Sequence, residues 1–248
     1  MFKKFALALA VAATLPASAL TTGDLAFTAF NADEDGFAMV ALANVAANTK
    51  VYFSDNEWSG TAFNTGESFS SWSSGAAVVN AGTVIRFSKT DSATLLAATV
   101  GTLARETVAL SANWGLSQAA DTLYAYLGSS ATAPTTFLSA ISSGTFGNAA
   151  DGTLANTGLA IGAGAVQLSA SSDYAQYSGS RAGQTSFVGY KALVANVAHW
   201  TDSGNGTFAT NVPDTTAFSV TAVPEPESYA LMLAGLAAIG LLIARRRA

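Results

Sequence analysis

Few side chains in this sequence are of the types that do chemistry. There is one histidine, His199, and there is no cysteine. That excludes a disulfide framework, a cysteine metal site and a thiol nucleophile. His199 is the single available imidazole base, but it stands beside Trp200, where packing explains it better than a Ser–His–Asp role. Gly115-Leu116-Ser117-Gln118-Ala119 misses the last glycine of a G-x-S-x-G turn. Gly162-Ala163-Gly164 lacks the third glycine of a dinucleotide loop. Asp55 and Glu57, two apart at a strand end, would point to one side, as the paired acids of a glycosidase do. Turn capping by Asp55 is the better reading, and no catalytic residue is assigned.

The sharpest pattern is Asn31-Ala32-Asp33-Glu34-Asp35-Gly36. It matches the first six positions of the calcium loop D-x-[DN]-x-[DN]-G, with Asn in first place. Oxygens at alternate positions can converge on one Ca²⁺, and the glycine permits the sharp turn. The match fails at the twelfth position, where Leu42 replaces the bidentate glutamate. The loop is therefore not an EF-hand. Two readings stay open: a solvated acidic hairpin turn, or a looser calcium site that uses Asp33 and Asp35 with Asp55 or Glu57 brought near. No other cofactor is expected.

The elements that must position these residues read as strands. Asp24 to Phe30 alternates, and Phe37 to Ala43 is a continuous apolar run of the kind buried on both faces. Thr49 to Phe53, Thr83 to Ser88 and Thr122 to Leu127 are rich in β-branched and aromatic residues. Thr135 to Ile141, Ala165 to Leu168 and Ala217 to Thr221 are weaker strands. Clusters of Gly, Ser, Asn and Thr separate them, as in sandwiches and barrels. Asp91 to Leu103 reads as a helix with Asp91 or Ser92 as N-cap, and Gly144 to Gly164 as an extended loop. The expected class is all-β, a mostly antiparallel β-sandwich.

The two ends are of a different kind. Lys3 and Lys4 precede an apolar run from Phe5 to Leu15, Pro16 breaks it, and Ala17-Ser18-Ala19 follows. This is a secretory signal peptide over residues 1–19, cut by signal peptidase between Ala19 and Leu20. At the other end Val223-Pro224-Glu225-Pro226-Glu227 precedes Tyr229 to Ala244, whose 16 residues are apolar apart from Gly235 and Gly240. Arg245, Arg246 and Arg247 follow. Two prolines hold a backbone extended for a protease. The apolar stretch reads as a single transmembrane helix with its arginines on the cytoplasmic side.

The order Pro-Glu-Pro, short apolar helix, arginine cluster resembles the PEP-CTERM sorting signal of Gram-negative bacteria. The resemblance covers residues 223–248 and implies processing near Pro224-Glu225-Pro226 by the membrane peptidase exosortase. The middle also resembles a known type. Gly23 to Leu42 (GDLAFTAFNADEDGFAMVAL), VYFSDNEW at Val51, TLYAYLGS at Thr122, DYAQYSG at Asp173 and NVAHWTDS at Asn196 are similar to a recurrent β-domain of secreted bacterial proteins. That domain is lamin-tail-like and often an accessory module beside hydrolases. Glu57 stands where relatives have Gly, and His199 where they have Asn.

Residues 20–222 thus form one extracellular domain. It carries 14 acids against six bases, a net charge of −8, which argues against nucleic acid as a partner, since phosphate binding needs Lys and Arg. The expected function is that of a non-enzymatic surface or extracellular-matrix protein. Such a protein would be associated with biofilm exopolysaccharide, anchored briefly in the inner membrane and sorted by exosortase. The alternatives are a carbohydrate-binding module that uses Trp58, Trp72 or Trp114 as stacking platforms, and an unrecognised hydrolase.

Overall fold

The structure, a computed structural model, describes residues 19–148, 150–221 and 226–247. The expected signal peptide lies outside the described residues up to its cleavage junction, and so do Pro224 and Glu225. In chain order the strands are β1 (Leu25–Asn31), β2 (Gly36–Ala41), β3 (Lys50–Ser54), β4 (Phe69–Ser73), β5 (Val84–Ser88), β6 (Ala97–Ala98) and β7 (Thr102–Arg105). They continue as β8 (Thr122–Ser130), β9 (Ala133–Ser142), β10 (Ala160–Ile161), β11 (Gly164–Gln167), β12 (Tyr174–Tyr177) and β13 (Trp200–Asp202). Two α-helices are α1 (Tyr190–Ala195) and α2 (Pro226–Arg247).

The strands form two sheets. One has the order β13-β12-β1-β2-β5-β6, the other β10-β11-β9-β8-β3-β4-β7. Pairing is antiparallel except where β11 lies parallel to β9 and β10 parallel to β11. Alternation within each strand decides what goes inside. Val51 and Phe53 of β3 join Phe37 of β2 and Phe87 of β5 in one core shared by the two sheets. Phe37 meets Phe53 edge-on at 5.0 Å and stacks on Phe87 at 4.7 Å between ring centroids. The continuous run of β2 is buried at every position, as expected of a strand between β1 and β5.

The intervening residues of the second sheet face the other way. Tyr52, Tyr124, Tyr126 and Phe137 form a second cluster with Trp58 and Leu159, and Phe63, Phe146 and Leu154 pack onto it. This corrects the reading of Gly144 to Gly164 as a plain extended loop. The segment carries β10 and supplies apolar side chains that cover the outer face of the sheet. Among the described residues of this segment Phe146, Leu154 and Leu159 join the cluster, too sparse a pattern to show in a stretch of small residues.

Three further expectations change. Asp91 to Leu103 is no helix: Ala97 and Ala98 pair with β5, and Thr102 opens β7. Gly101, at φ +74°, sits so close to β4 that a Cβ there would lie 2.1 Å from the Ser73 carbonyl. A helix cannot turn through that point. Ala217 to Thr221 forms an isolated parallel bridge, Val220 to Gln184, instead of a strand. The C-terminal apolar segment does form α2, yet among the described residues no helix is long and apolar enough to cross a membrane. The stretch Tyr229 to Ala244, 16 residues with two glycines, is about 24 Å long at 1.5 Å per residue, short of a hydrocarbon core of about 30 Å.

Phe37→Ala removes ring contacts to Phe27, Phe53 and Phe87 and should destabilise the domain by about 3–5 kcal/mol. Chemical denaturation should show a lower midpoint with an unchanged slope. Leu110→Ala, at a position 83% exposed, should stay within about 0.5 kcal/mol of the parent.

Candidate functional site

The acids singled out in the sequence gather at one end of the two-sheet stack. The turn between β1 and β2 brings Asp33 and Asp35 there, and the end of β3 brings Asp55 and Glu57. Each has a definite partner. Asp33 accepts hydrogen bonds from Gln118 Nε2 and from the Phe208 backbone N–H, both at 2.5 Å. Asp35, at φ +55°, accepts from the Leu116 N–H at 2.8 Å. Asn31 Oδ1 accepts from the Glu34 N–H, and its Nδ2 donates to the carbonyls of Phe208 and Asn211. Glu34 pairs with Arg86.

The oxygens of this loop therefore reach outward into the 114–118 and 208–211 segments instead of converging on a point. Among the described residues no group of three or more His, Asp or Glu is placed to hold a metal ion. Asn31, Asp33 and Asp35 tie the turn to its neighbours. Burial is the chief force on these groups: it pushes the Asp35 carboxyl up to about 6, against the Leu116 hydrogen bond. It also raises Glu34, opposed by the charges of Arg86 and Lys89.

Asp55 and Glu57 part company. Asp55 is 1% exposed. Its Oδ1 accepts from both the N–H and the hydroxyl of Ser68, each at 2.7 Å, so it clamps the chain that leads into β4. Its Oδ2 is buried without a hydrogen-bond partner. Glu57 lies outside, on a groove of about 370 Å³ lined by Trp58, Ser59, Asn64, Asn148 and Thr153. Its carboxylate accepts from Asn64 Nδ2, and its N–H donates to Asn64 Oδ1 at 3.0 Å. The floor is fixed by Trp58, whose Nε1 donates to the Ala155 carbonyl at 2.9 Å. A β-carbon on Gly152 would lie 2.5 Å from Tyr124 Oη, so only glycine fits that wall.

The structure adds two acids that spacing does not reveal. Asp121 is 5% exposed, and its Oδ2 accepts from the Ser117 N–H at 2.7 Å. Glu67 precedes Ser68, and its N–H donates to Asn56 Oδ1. Burial lifts Asp55 and Glu67 to about 7, and the proximity of other carboxylates adds to it. Burial, then the charge of Asp55, raises Asp121 well above the ordinary carboxylate range. Asp55, Glu67 and Asp121 are far apart in the chain, and only strand pairing gathers them.

The aromatic platforms are also corrected. Trp58 is 6% exposed and Trp72 fully buried, so neither offers a face to a sugar ring. Trp114 is half-buried and already covered by Arg105, 4.4 Å from its ring. His199 packs against Tyr177 at 6.5 Å and gives its backbone carbonyl to the N–H groups of Ser178 and Gly179.

At the C-terminus α2 begins at Pro226, so that proline is not part of an extended segment as expected. Its fixed φ suits the first helical turn, where no N–H is required. Residues 231–240 and 242–246 are exposed, among them Leu231, Leu236, Ile239, Leu242, Arg245 and Arg246. Residues 222–247 match the family of the PEP-CTERM protein-sorting motif. No curated protein and no solved structure shows significant similarity to the chain. The motif implies an exported chain, held transiently at a membrane and processed by an exosortase. The likeness of Gly23–Thr210 to a lamin-tail-like domain remains a resemblance.

Asp33→Ala deletes the acceptor of two hydrogen bonds, one of them to a backbone N–H. It should destabilise the domain by about 1–3 kcal/mol, equally in EDTA and in millimolar Ca²⁺. A loss confined to the calcium sample, followed by thermal melting, would instead reinstate a metal role for this turn.

Proposed function

We propose that this chain is a non-enzymatic secreted protein of the cell surface or extracellular matrix, released at its sorting motif by exosortase. The observation that carries the reading is the abrupt boundary between folded domain and motif. Phe218 is 3% exposed, and its N–H donates to the Gly82 carbonyl. The Ser219 N–H donates to the Arg181 carbonyl, and the Ser219 carbonyl accepts from Tyr190 Oη at 2.7 Å. The Thr221 N–H donates to the Gln184 carbonyl at 2.9 Å. The motif begins at the next residue, 222. Cleavage near Pro224-Glu225-Pro226 thus leaves these hydrogen bonds of residues 218–221 in place.

The other boundary supports the same reading. Ala19 is exposed while Leu20 is 5% exposed and belongs to the core, so cutting between them releases a domain whose first residue is already fixed. The exposed apolar side chains of α2 hold the chain at the inner membrane until processing, with Arg245 and Arg246 at the lipid headgroups. The role in a polysaccharide matrix rests on the acidic, disulfide-free domain and on the separate fixing of Asp55 and Glu57, the one buried on Ser68 and the other held by Asn64.

Mass spectrometry of the exported protein should find an N-terminus at Leu20 and a C-terminus between Val223 and Glu227. Recovery of chains ending at Ala248 from a strain with active exosortase would overturn the reading. Replacing Arg245, Arg246 and Arg247 together by Glu should impair membrane retention and leave an unprocessed precursor, visible as a larger band on an immunoblot.

A further inference from the structure

We propose that Asp55 and Asp121, with Glu67 beside them, hold protons in the folded domain at neutral pH, so that this end of the domain is a latch that loosens as protons leave. The register sets up the pair. Ser54 of β3 lies opposite Tyr124 of β8 and opposite Phe69 of β4. Continuing one residue along the antiparallel strands puts Asp55 level with Leu123 and with Ser68. Asp121 is two residues from Leu123 and therefore on the same face. That face is the one Phe53 and Leu123 turn toward the core shared by the sheets. Both carboxyls stand at the rim of an apolar layer, 1% and 5% exposed.

No cation answers them among the described residues. The ion pairs are Lys50–Glu106, Arg86–Glu34, Arg181–Asp214 and Lys191–Asp24. The charged groups that act on Asp55 are acidic: Glu57 on its own strand end, Glu67 from the chain before β4, and Asp121 from β8. The neighbouring loop from Trp114 to Gln118 holds no titratable side chain. In the turn of the facing sheet, Asp33, Lys89 and Asp91 act on Asp35. A buried carboxylate with an unpartnered oxygen and no counter-charge is strongly disfavoured. A proton removes the charge and turns Asp55 Oδ2 from an orphan acceptor into a donor.

The direction of the pH dependence follows. The folded carboxyls at Asp55 and Glu67 keep their protons up to about 7, above their ordinary values of 3.8 and 4.5. The stability they contribute is complete below the ordinary values and is lost as pH rises through about 7. Asp24, Glu106, Asp202 and Asp214 are held below the ordinary range and lose their contribution only in stronger acid. Between these limits Asp35, raised to about 6, and Glu34, also raised, slope the same way, and the latch adds the part that persists to about 7. Its fastenings are the Ser68 bonds to Asp55 and the Ser117 bond to Asp121, so residues 66–68 and 114–121 should part first.

The test is thermal unfolding of the full chain in detergent between about pH 6 and pH 8.5, with amide hydrogen exchange read over the same range. The wild type should melt several degrees lower at the alkaline end, and exchange should quicken at 114–121. Asp55→Asn, which mimics the protonated form, should melt higher than wild type at alkaline pH and flatten the slope. Asp121→Asn, made independently, should do the same should the first variant fail to fold. A wild type as stable at the alkaline end, or slopes unchanged in both variants, would refute the latch. Addition of about 5 mM Ca²⁺ should leave the melting curve unmoved. A rise abolished by either variant would show that the cluster takes a metal ion instead of protons.

Discussion

The contacts among Phe37, Phe53, Phe87 and Trp72 join the two sheets, and the rest of the domain is arranged around them. A chain with no cysteine has no covalent staple to limit its unfolded state. Each buried aromatic contributes roughly 1.5–3 kcal/mol from burial alone, and edge-to-face pairs add about 0.5–1.5 kcal/mol. Small residues make the close fit possible. Ala29, Ala38, Ala41 and Ala125 fill the central strands, and Gly101 lets the chain pass directly over β4.

The second sheet is buried on both faces, and this accounts for the groove. Its outer face is covered by the Trp58–Phe63 hairpin and the segment from Phe146 to Leu159, which meet over Tyr124 and Phe137. Loops used as a third layer need backbone hydrogen bonds of their own. Those exist in Trp58 Nε1 to Ala155 O, Asn156 Nδ2 to Gly60 O and Thr153 N to Trp58 O. Glu57 and Asn64 border the groove because this layer ends there. The polar end of the domain and its aromatic outer layer are thus one construction.

Closure at the other boundary obeys the same economy of contact. Gly82, at φ +92°, lies so near the Phe218 carbonyl that a Cβ would sit 2.3 Å from it. Tyr190 of α1 meets Phe218 edge-on at 5.0 Å. The last residues before the motif are pinned from several sides, while the described side chains of α2 at 231–240 and 242–246 are exposed. A peptidase can therefore act on the tail without disturbing the sheets.

Much of this was legible in the sequence by itself. Alternation in Thr122 to Leu127 and the apolar run from Phe37 needed no partner to be recognised, because side-chain period follows from local backbone geometry. The sorting signal was legible for the same reason: charge, apolar length and proline order are consecutive. What the sequence did not determine was pairing. Tyr174 to Tyr177 became β12 only because β1 and β13 flank it, and Ala97-Ala98 became strand where helix propensity pointed the other way. The acids show the division most clearly. Spacing joined Asp55 to Glu57 and Asp33 to Asp35 as ligands or catalysts. The tertiary structure instead turned Asp55 inward toward Asp121, left Glu57 at the surface and used Asp33 and Asp35 as hydrogen-bond anchors. Which carboxylates meet is set by strand register across distant parts of the chain, and register arises from the packing of the whole core.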